Sequence, residues 1–156
     1  MKPNVLIVCG ANQDRSPALA AMLRRRFGDE WHITSAGLEE LYTGLAPSEH
    51  TLACMRKRHI DLEHHRSQPV WNITTLPDVM VCLTPAIRDT ILQYLPDDLH
   101  VDKEVVASRI LVPNEASGGI PDPHGGNEEK YEACFERMEA LLPELIDTVR
   151  SRLGTN

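Results

Sequence analysis

The stretch Val5-Leu6-Ile7-Val8-Cys9-Gly10-Ala11-Asn12-Gln13-Asp14-Arg15-Ser16-Pro17 decides how the rest of the chain is read. Val5 to Val8 is an unbroken apolar run, the pattern of a strand covered on both faces. Pro17 suits the first turn of a helix, where its missing N–H has no partner to lose. Ala18 to Phe27 continues that helix, and Gly28 ends it. The residues between strand and helix are small or polar. At such a junction backbone N–H groups converge on the helix N-terminus and favour an anion.

Outward from this unit, Trp31 to Ser35 predicts a second short strand, closed by Ala36-Gly37. Leu38 to Pro47 has little periodicity and predicts a surface loop. Ser48 can cap a helix running to about Arg58, with Glu49 in its first turn. Asp78 to Leu83 predicts another apolar strand, followed by a helix begun by Pro85. Val101 to Val112 predicts a last strand with irregular flanks. Asn114 to Gly126 is rich in Gly and Pro and predicts a loop. Tyr131, Phe135, Met138, Leu142, Leu145, Ile146 and Val149 recur at spacings of three and four, which predicts a long final helix with one apolar stripe. Strands alternating with helices predict an α/β fold: three layers, a small parallel sheet of about four strands, helices on both faces, and the phosphate-binding loop after the first strand. No repeat, low-complexity tract or boundary interrupts residues 1–156, so one domain is expected.

Composition narrows the partners. The net charge is -7 and the pI about 5.4. Neither nucleic acid nor an anionic membrane suits so acidic a chain, because both want a basic face. A phosphate site must then draw its positive potential locally, from N–H groups and an arginine. The start of the chain has no leader pattern, and its apolar run is far shorter than a membrane span. The four cysteines, Cys9, Cys54, Cys82 and Cys134, have no paired spacing of the zinc or disulfide kind. A reducing, cytoplasmic setting is expected, with free thiols available as nucleophiles.

The chemistry points to Cys9. The thiolate is the reactive form of cysteine, and loop dipoles with the Arg15 guanidinium favour it. Arg15 offers a planar fork for two phosphate oxygens, tightening as charge builds in the transition state. Ser16 can donate to the sulfur and help it leave. The spacing C-x5-R is not specific by itself, because the chain holds it twice. The second copy, Cys82-Leu83-Thr84-Pro85-Ala86-Ile87-Arg88, lacks glycine, contains a proline with no N–H to give, and is followed by Asp89 rather than serine. Cys82 is therefore read as a core cysteine.

Three segments occurring in order settle the choice: Cys9-x-x-Asn12-x-x-Arg15-Ser16-Pro17, Ser35-Ala36-Gly37, and Asp122-Pro123-His124-Gly125-Gly126 before the last helix. Together they resemble the low-molecular-weight protein tyrosine phosphatases over nearly the whole chain, and His65-Arg66-Ser67 also looks like a segment of that family. The resemblance implies a metal-free and cofactor-free hydrolase of phosphotyrosine or aryl phosphate on proteins. Cys9 would attack phosphorus to give a cysteinyl-phosphate. Asp122 would protonate the leaving oxygen and then take a proton from water, a dual role for one carboxyl. The loop Gly10, Ala11, Asn12, Gln13, Asp14, Arg15 and Ser16 would bind phosphate. Asn12, Ser16 and His65 would support the loop, and Leu41, Tyr42 and His124 would wall the pocket.

The departures carry weight too. The family usually has a second cysteine before the loop arginine, able to form a disulfide with the nucleophile. Here Asp14 stands there, so no such switch is expected. A carboxylate beside the site would disfavour the thiolate and repel a substrate dianion unless it points away, toward Arg24, Arg25 or Arg26. Phosphoarginine hydrolysis is a bacterial variant of the same chemistry. Thiol-dependent arsenate reduction uses the same fold and would draw on Cys82. An inactive phosphate-binding module is the remaining alternative. The substrate is expected to be a phosphorylated protein or a small aryl phosphate, and the sequence leaves the oligomeric state open.

Overall fold

The computed structural model describes residues 1–154. Its sheet has four parallel strands: β1 (Asn4–Cys9), β2 (His32–Gly37), β3 (Val79–Cys82) and β4 (Ile110–Leu111), in the order β2-β1-β3-β4. All of β1 from Val5 to Cys9 is buried, as a strand covered on both faces requires. Among the described residues five α-helices accompany the sheet: α1 (Arg15–Phe27), α2 (Glu49–Lys57), α3 (Pro85–Leu99), α4 (Lys103–Arg109) and α5 (Glu128–Leu153). The β1-to-β2 crossover runs one way along the sheet and the β3-to-β4 crossover runs the other. With right-handed connections, α1 and the α3–α4 pair fall on opposite faces. Helix α5 packs on both α1 and α2, and α3 packs on α4, completing three layers.

Local chemistry explains most boundaries. The Ser48 hydroxyl accepts the Thr51 N–H at 3.3 Å and caps α2. The Thr84 hydroxyl does the same for α3 with Ile87, and Pro85 takes the first helical position. The apolar stripe of α5 is buried from Tyr131 to Val149, with Gly154 at its C-terminal cap. One segment departs from expectation. Of Val101 to Val112, only Ile110 and Leu111 form a strand, and Lys103–Arg109 is the helix α4. Helix wins there because Asp102 precedes it, Glu104 sits in its first turn and Arg109 in its last. Val106 alone of those about two turns is buried, so one inward residue satisfies the core.

The chain leaves β1 toward β2 on one side and returns to β3 on the other. The carboxyl ends of β1 and β3 thus form a switch point, where α/β sheets open a crevice. Register places Cys9 opposite Gly37 and Val8 opposite Cys82 at this end.

Candidate active site

The loop after β1 contains five residues, Gly10 to Asp14, before α1 begins at Arg15. Its shape depends on Asn12, which takes a left-handed backbone with φ of 59°. Asparagine tolerates that region better than most side chains. The residue is fully buried, and its polar atoms are paired. Its Nδ2 donates to Ser16 Oγ at 2.8 Å and Ser35 Oγ at 3.0 Å, and its Oδ1 accepts the Gln68 N–H at 2.9 Å. The Asn12 carbonyl lies 2.7 Å from His65 Nε2. A carbonyl only accepts, so Nε2 carries the hydrogen. Burial first, and then the charges of Arg24 and Arg66, push His65 below the usual histidine value, against the opposing effect of that hydrogen bond. The ring therefore stays a neutral donor near pH 7.

The end of β2 makes room for this loop. A Cβ on Gly37 would stand 2.7 Å from the Gly10 carbonyl oxygen and 2.9 Å from Asn12 N. Ser35 and Gly37 therefore act on the same loop, one by hydrogen bonding and the other by its missing side chain. Farther out, the Ser67 carbonyl accepts the Gly44 N–H, and the Ser67 hydroxyl accepts the Leu45 N–H and donates to the Tyr42 carbonyl. The 65–68 segment thus ties both the loop and the Tyr42 stretch to the body of the protein.

At the mouth, Cys9 Sγ lies 2.9 Å from Ser16 Oγ and accepts the Asn12 N–H at 3.3 Å. Arg15 is buried. Its Nη1 donates to the Ile120 carbonyl at 2.8 Å, and its Nη2 stands 3.7 Å from Asp122 Oδ2. Those contacts bring a segment more than a hundred residues away onto the loop. Ile120 N–H in turn donates to the Leu83 carbonyl at 2.8 Å, just past β3. Gly119 allows this approach, since a Cβ there would stand 2.3 Å from Leu83 O, and its φ is 83°. Asp122 is half exposed, and its Oδ1 accepts the His124 N–H at 3.1 Å.

A cleft of about 170 Å³ opens over Cys9 and Arg15. Gly10, Ala11, Gln13 and Asp14 line its floor, and Tyr42, Asp122 and His124 line its walls. The sequence-predicted residues are thus brought together, with three adjustments. Asn12 and Ser16 lie beneath the loop, and their side chains do not line the cleft. Leu41 is 92% exposed and is no part of the wall; Glu39 lines it instead. Glu39 follows the end of β2 by two residues and donates its N–H to the Gly10 carbonyl. Its nearness to Gly37 was the signal that could have found it.

Asp14 is the third adjustment. It does not face Arg24, Arg25 or Arg26. Arg24 donates to the Ile33 carbonyl and Arg25 to the Arg58 carbonyl. Asp14 Oδ1 instead accepts Ser48 Oγ at 2.6 Å and Thr51 Oγ1 at 2.5 Å, at the N-terminus of α2. An acceptor-only carboxylate with two hydroxyl donors beside a helix N-terminus is well placed. All four cysteines are free. Burial pushes the Cys82 and Cys134 thiols each up to about 12. Among the described residues no group of three or more His, Cys, Asp and Glu side chains could hold a metal, and no helix is long and apolar enough to cross a membrane.

Comparison with known proteins gives concordant findings. The family model described as low molecular weight phosphotyrosine protein phosphatase matches residues 4–154. A protein-arginine-phosphatase of Geobacillus stearothermophilus is 26% identical over 97% of this chain and 99% of its own length. Arsenate reductase 1 of Staphylococcus epidermidis is 31% identical over 90% of this chain and 93% of its own. Among solved structures, the tyrosine phosphatase Wzb from Escherichia coli K30, in complex with sulphate, superposes with a TM-score of 0.77. It covers 96% of this chain and 99% of that one at 19% identity, a likeness of fold.

Proposed function

The chain belongs to the low molecular weight phosphotyrosine protein phosphatase family, and on that premise we propose that it hydrolyses phosphotyrosine or aryl phosphate on proteins through a cysteinyl-phosphate on Cys9. The observation that carries this reading is the convergence of Cys9 and Arg15, from the two ends of one loop, and Asp122, from a stretch more than a hundred residues away, on one cleft. The Asn12 N–H donates to the Cys9 sulfur, and Ser16 Oγ lies within hydrogen-bond reach of it, so both groups contact the nucleophile.

In the first step Cys9 Sγ attacks phosphorus, forming the S–P bond as the P–O bond to the aryl group breaks. Asp122, protonated for this step, gives its proton to the leaving oxygen. Loop N–H groups and the Arg15 fork hold the equatorial oxygens as charge redistributes. In the second step water attacks phosphorus, Asp122 takes its proton, and the S–P bond breaks to return the thiolate. Ser16 donates to the departing sulfur. His65 and Ser35 act through Asn12 on the loop's shape, and touch no reacting atom.

Arsenate reduction fits less well. It needs a further thiol to accept the oxidation, and Cys82 is fully buried, with its thiol pushed up to about 12. The deciding experiment is release of p-nitrophenol from p-nitrophenyl phosphate in EDTA, comparing wild type with Cys9→Ser. Turnover in the wild type and none in the serine variant supports the reading. Equal turnover in both, or none in either with folded protein, sinks it.

A further inference from the structure

The cleft that would receive a phosphoryl dianion carries more negative than positive charge. Among the described residues, Arg15 is the one arginine or lysine lining it, against three carboxylates, Asp14, Glu39 and Asp122. Asp122 is paired with Arg15. Asp14 is nine-tenths buried, and only one of its oxygens is engaged, by Ser48 and Thr51. The other has no hydrogen-bond or ion-pair partner among the described residues. The Glu39 carboxylate has none at all among them, and its backbone bond to Gly10 sets it at the rim of the loop. Unpaired carboxylates beside a bound dianion oppose binding, because like charges are brought together. A ligand with its own cation reverses the sign.

We infer that Glu39, helped by the free oxygen of Asp14, makes the cleft selective for phosphorylated groups that carry a cation next to the phosphoryl group. The inference rests on the phosphatase reading above and narrows its substrate class. Two sources supply the same chemistry. The cation can lie in the leaving group, as the guanidinium of phosphoarginine, or in an arginine flanking a phosphotyrosine. Either one meets the Glu39 carboxylate as a charge-assisted hydrogen bond. An aryl phosphate with neutral surroundings meets it as repulsion.

The test compares wild type with Glu39→Gln by kcat/KM on four probes. They are p-nitrophenyl phosphate, a phosphotyrosine peptide flanked by arginine, the same peptide flanked by alanine, and a phosphoarginine peptide. Glu39 is exposed, so the amide variant keeps the fold. Glu39→Gln should lose about fivefold on a cationic probe and gain about twofold on p-nitrophenyl phosphate, moving their ratio about tenfold at low salt. Loss confined to the phosphoarginine peptide puts the cation in the leaving group. Loss on the arginine-flanked peptide but not its alanine counterpart puts it on the neighbour. Asp14→Asn keeps a carbonyl oxygen for Ser48 and Thr51 and should shift the ratio the same way. Parallel changes on all four probes, or none, overturn the inference and leave the hydrolase standing. No turnover of any probe is instead a failure of the phosphatase reading. In that event the dissociation constants of the arginine-flanked and alanine-flanked phosphopeptides decide the matter, and equal affinities in the wild type overturn the charge preference.

Discussion

Two segments of this protein share the pattern C-x5-R, follow adjacent parallel strands and lead into helices, yet only one forms a cradle. After β1, five residues intervene before α1, and Arg15 is the first helical residue. After β3, only Leu83 and Thr84 intervene, α3 starts at Pro85, and Arg88 already lies in the helix's first turn. A loop of two residues has no N–H groups to spare for a ligand. The difference appears in every atom that matters. Arg15 is buried against the Ile120 carbonyl, while Arg88 points outward to Asp89 and Glu115. Cys9 lines a cleft, while Cys82 is sealed in the core. The second segment still serves the first, because the Leu83 carbonyl holds the Ile120 N–H and with it the stretch that carries Asp122. Equal spacing in sequence therefore means little until the helix start is known.

The sharpest way to break this contrast is to blunt both arginines. Arg15→Lys should lower kcat on p-nitrophenyl phosphate by about 10²- to 10³-fold, since a point charge replaces a planar fork. Arg88→Lys should stay within about twofold. Comparable losses in both variants would erase the distinction. A smaller effect is expected at the junction of β2 and the loop. Gly37→Ala drives a Cβ into the Gly10 carbonyl and should cost about tenfold in kcat through displaced loop dipoles. Unchanged kinetics there would mean the loop has slack that these contacts do not suggest.

Smaller again is Cys82→Ala, which should lower stability by about 1 kcal/mol through a small cavity and leave turnover within about twofold. A loss of turnover out of proportion to unfolding would give Cys82 a part in the chemistry. The smallest effect concerns His65. Its folded value lies below the ordinary 6.5, so the unfolded chain takes up the proton first as pH falls. Stability should be full above that ordinary value and decline as pH drops through it toward the lowered one. Denaturant midpoints between pH 7.5 and 5.5 should therefore fall more steeply for wild type than for His65→Gln. Parallel slopes would show that other groups carry the dependence.

Much of this arrangement was legible in the residues. The apolar run of β1, Pro17 and Gly28 at the ends of α1, the Ser48 cap and the stripe of α5 each follow from local rules, because neighbours in sequence are neighbours in those elements. The α4 segment was not, because Val105, Val106, Ile110 and Leu111 give a short apolar pattern that fits strand or helix equally. Leu41 and Glu39 were exchanged in the wall for a related reason. A loop without periodicity does not show which of its side chains turns inward, and a backbone bond from Glu39 to Gly10 decided it.

The sequence alone determined the strand–loop–helix unit at Cys9, the α/β architecture and the residue types offered as candidates for acting on phosphate. All of these depend on contacts a few residues apart or on the chemistry of single side chains. The tertiary structure decided which C-x5-R has a cradle, that Asp14 turns to Ser48 and Thr51 rather than to the arginines of α1, and that Arg15 reaches Ile120 and Asp122. Those contacts join residues 34 to 107 positions apart. Only the packing of parallel strands, which sets several distant loops at one end of the sheet, brings them within a few ångströms.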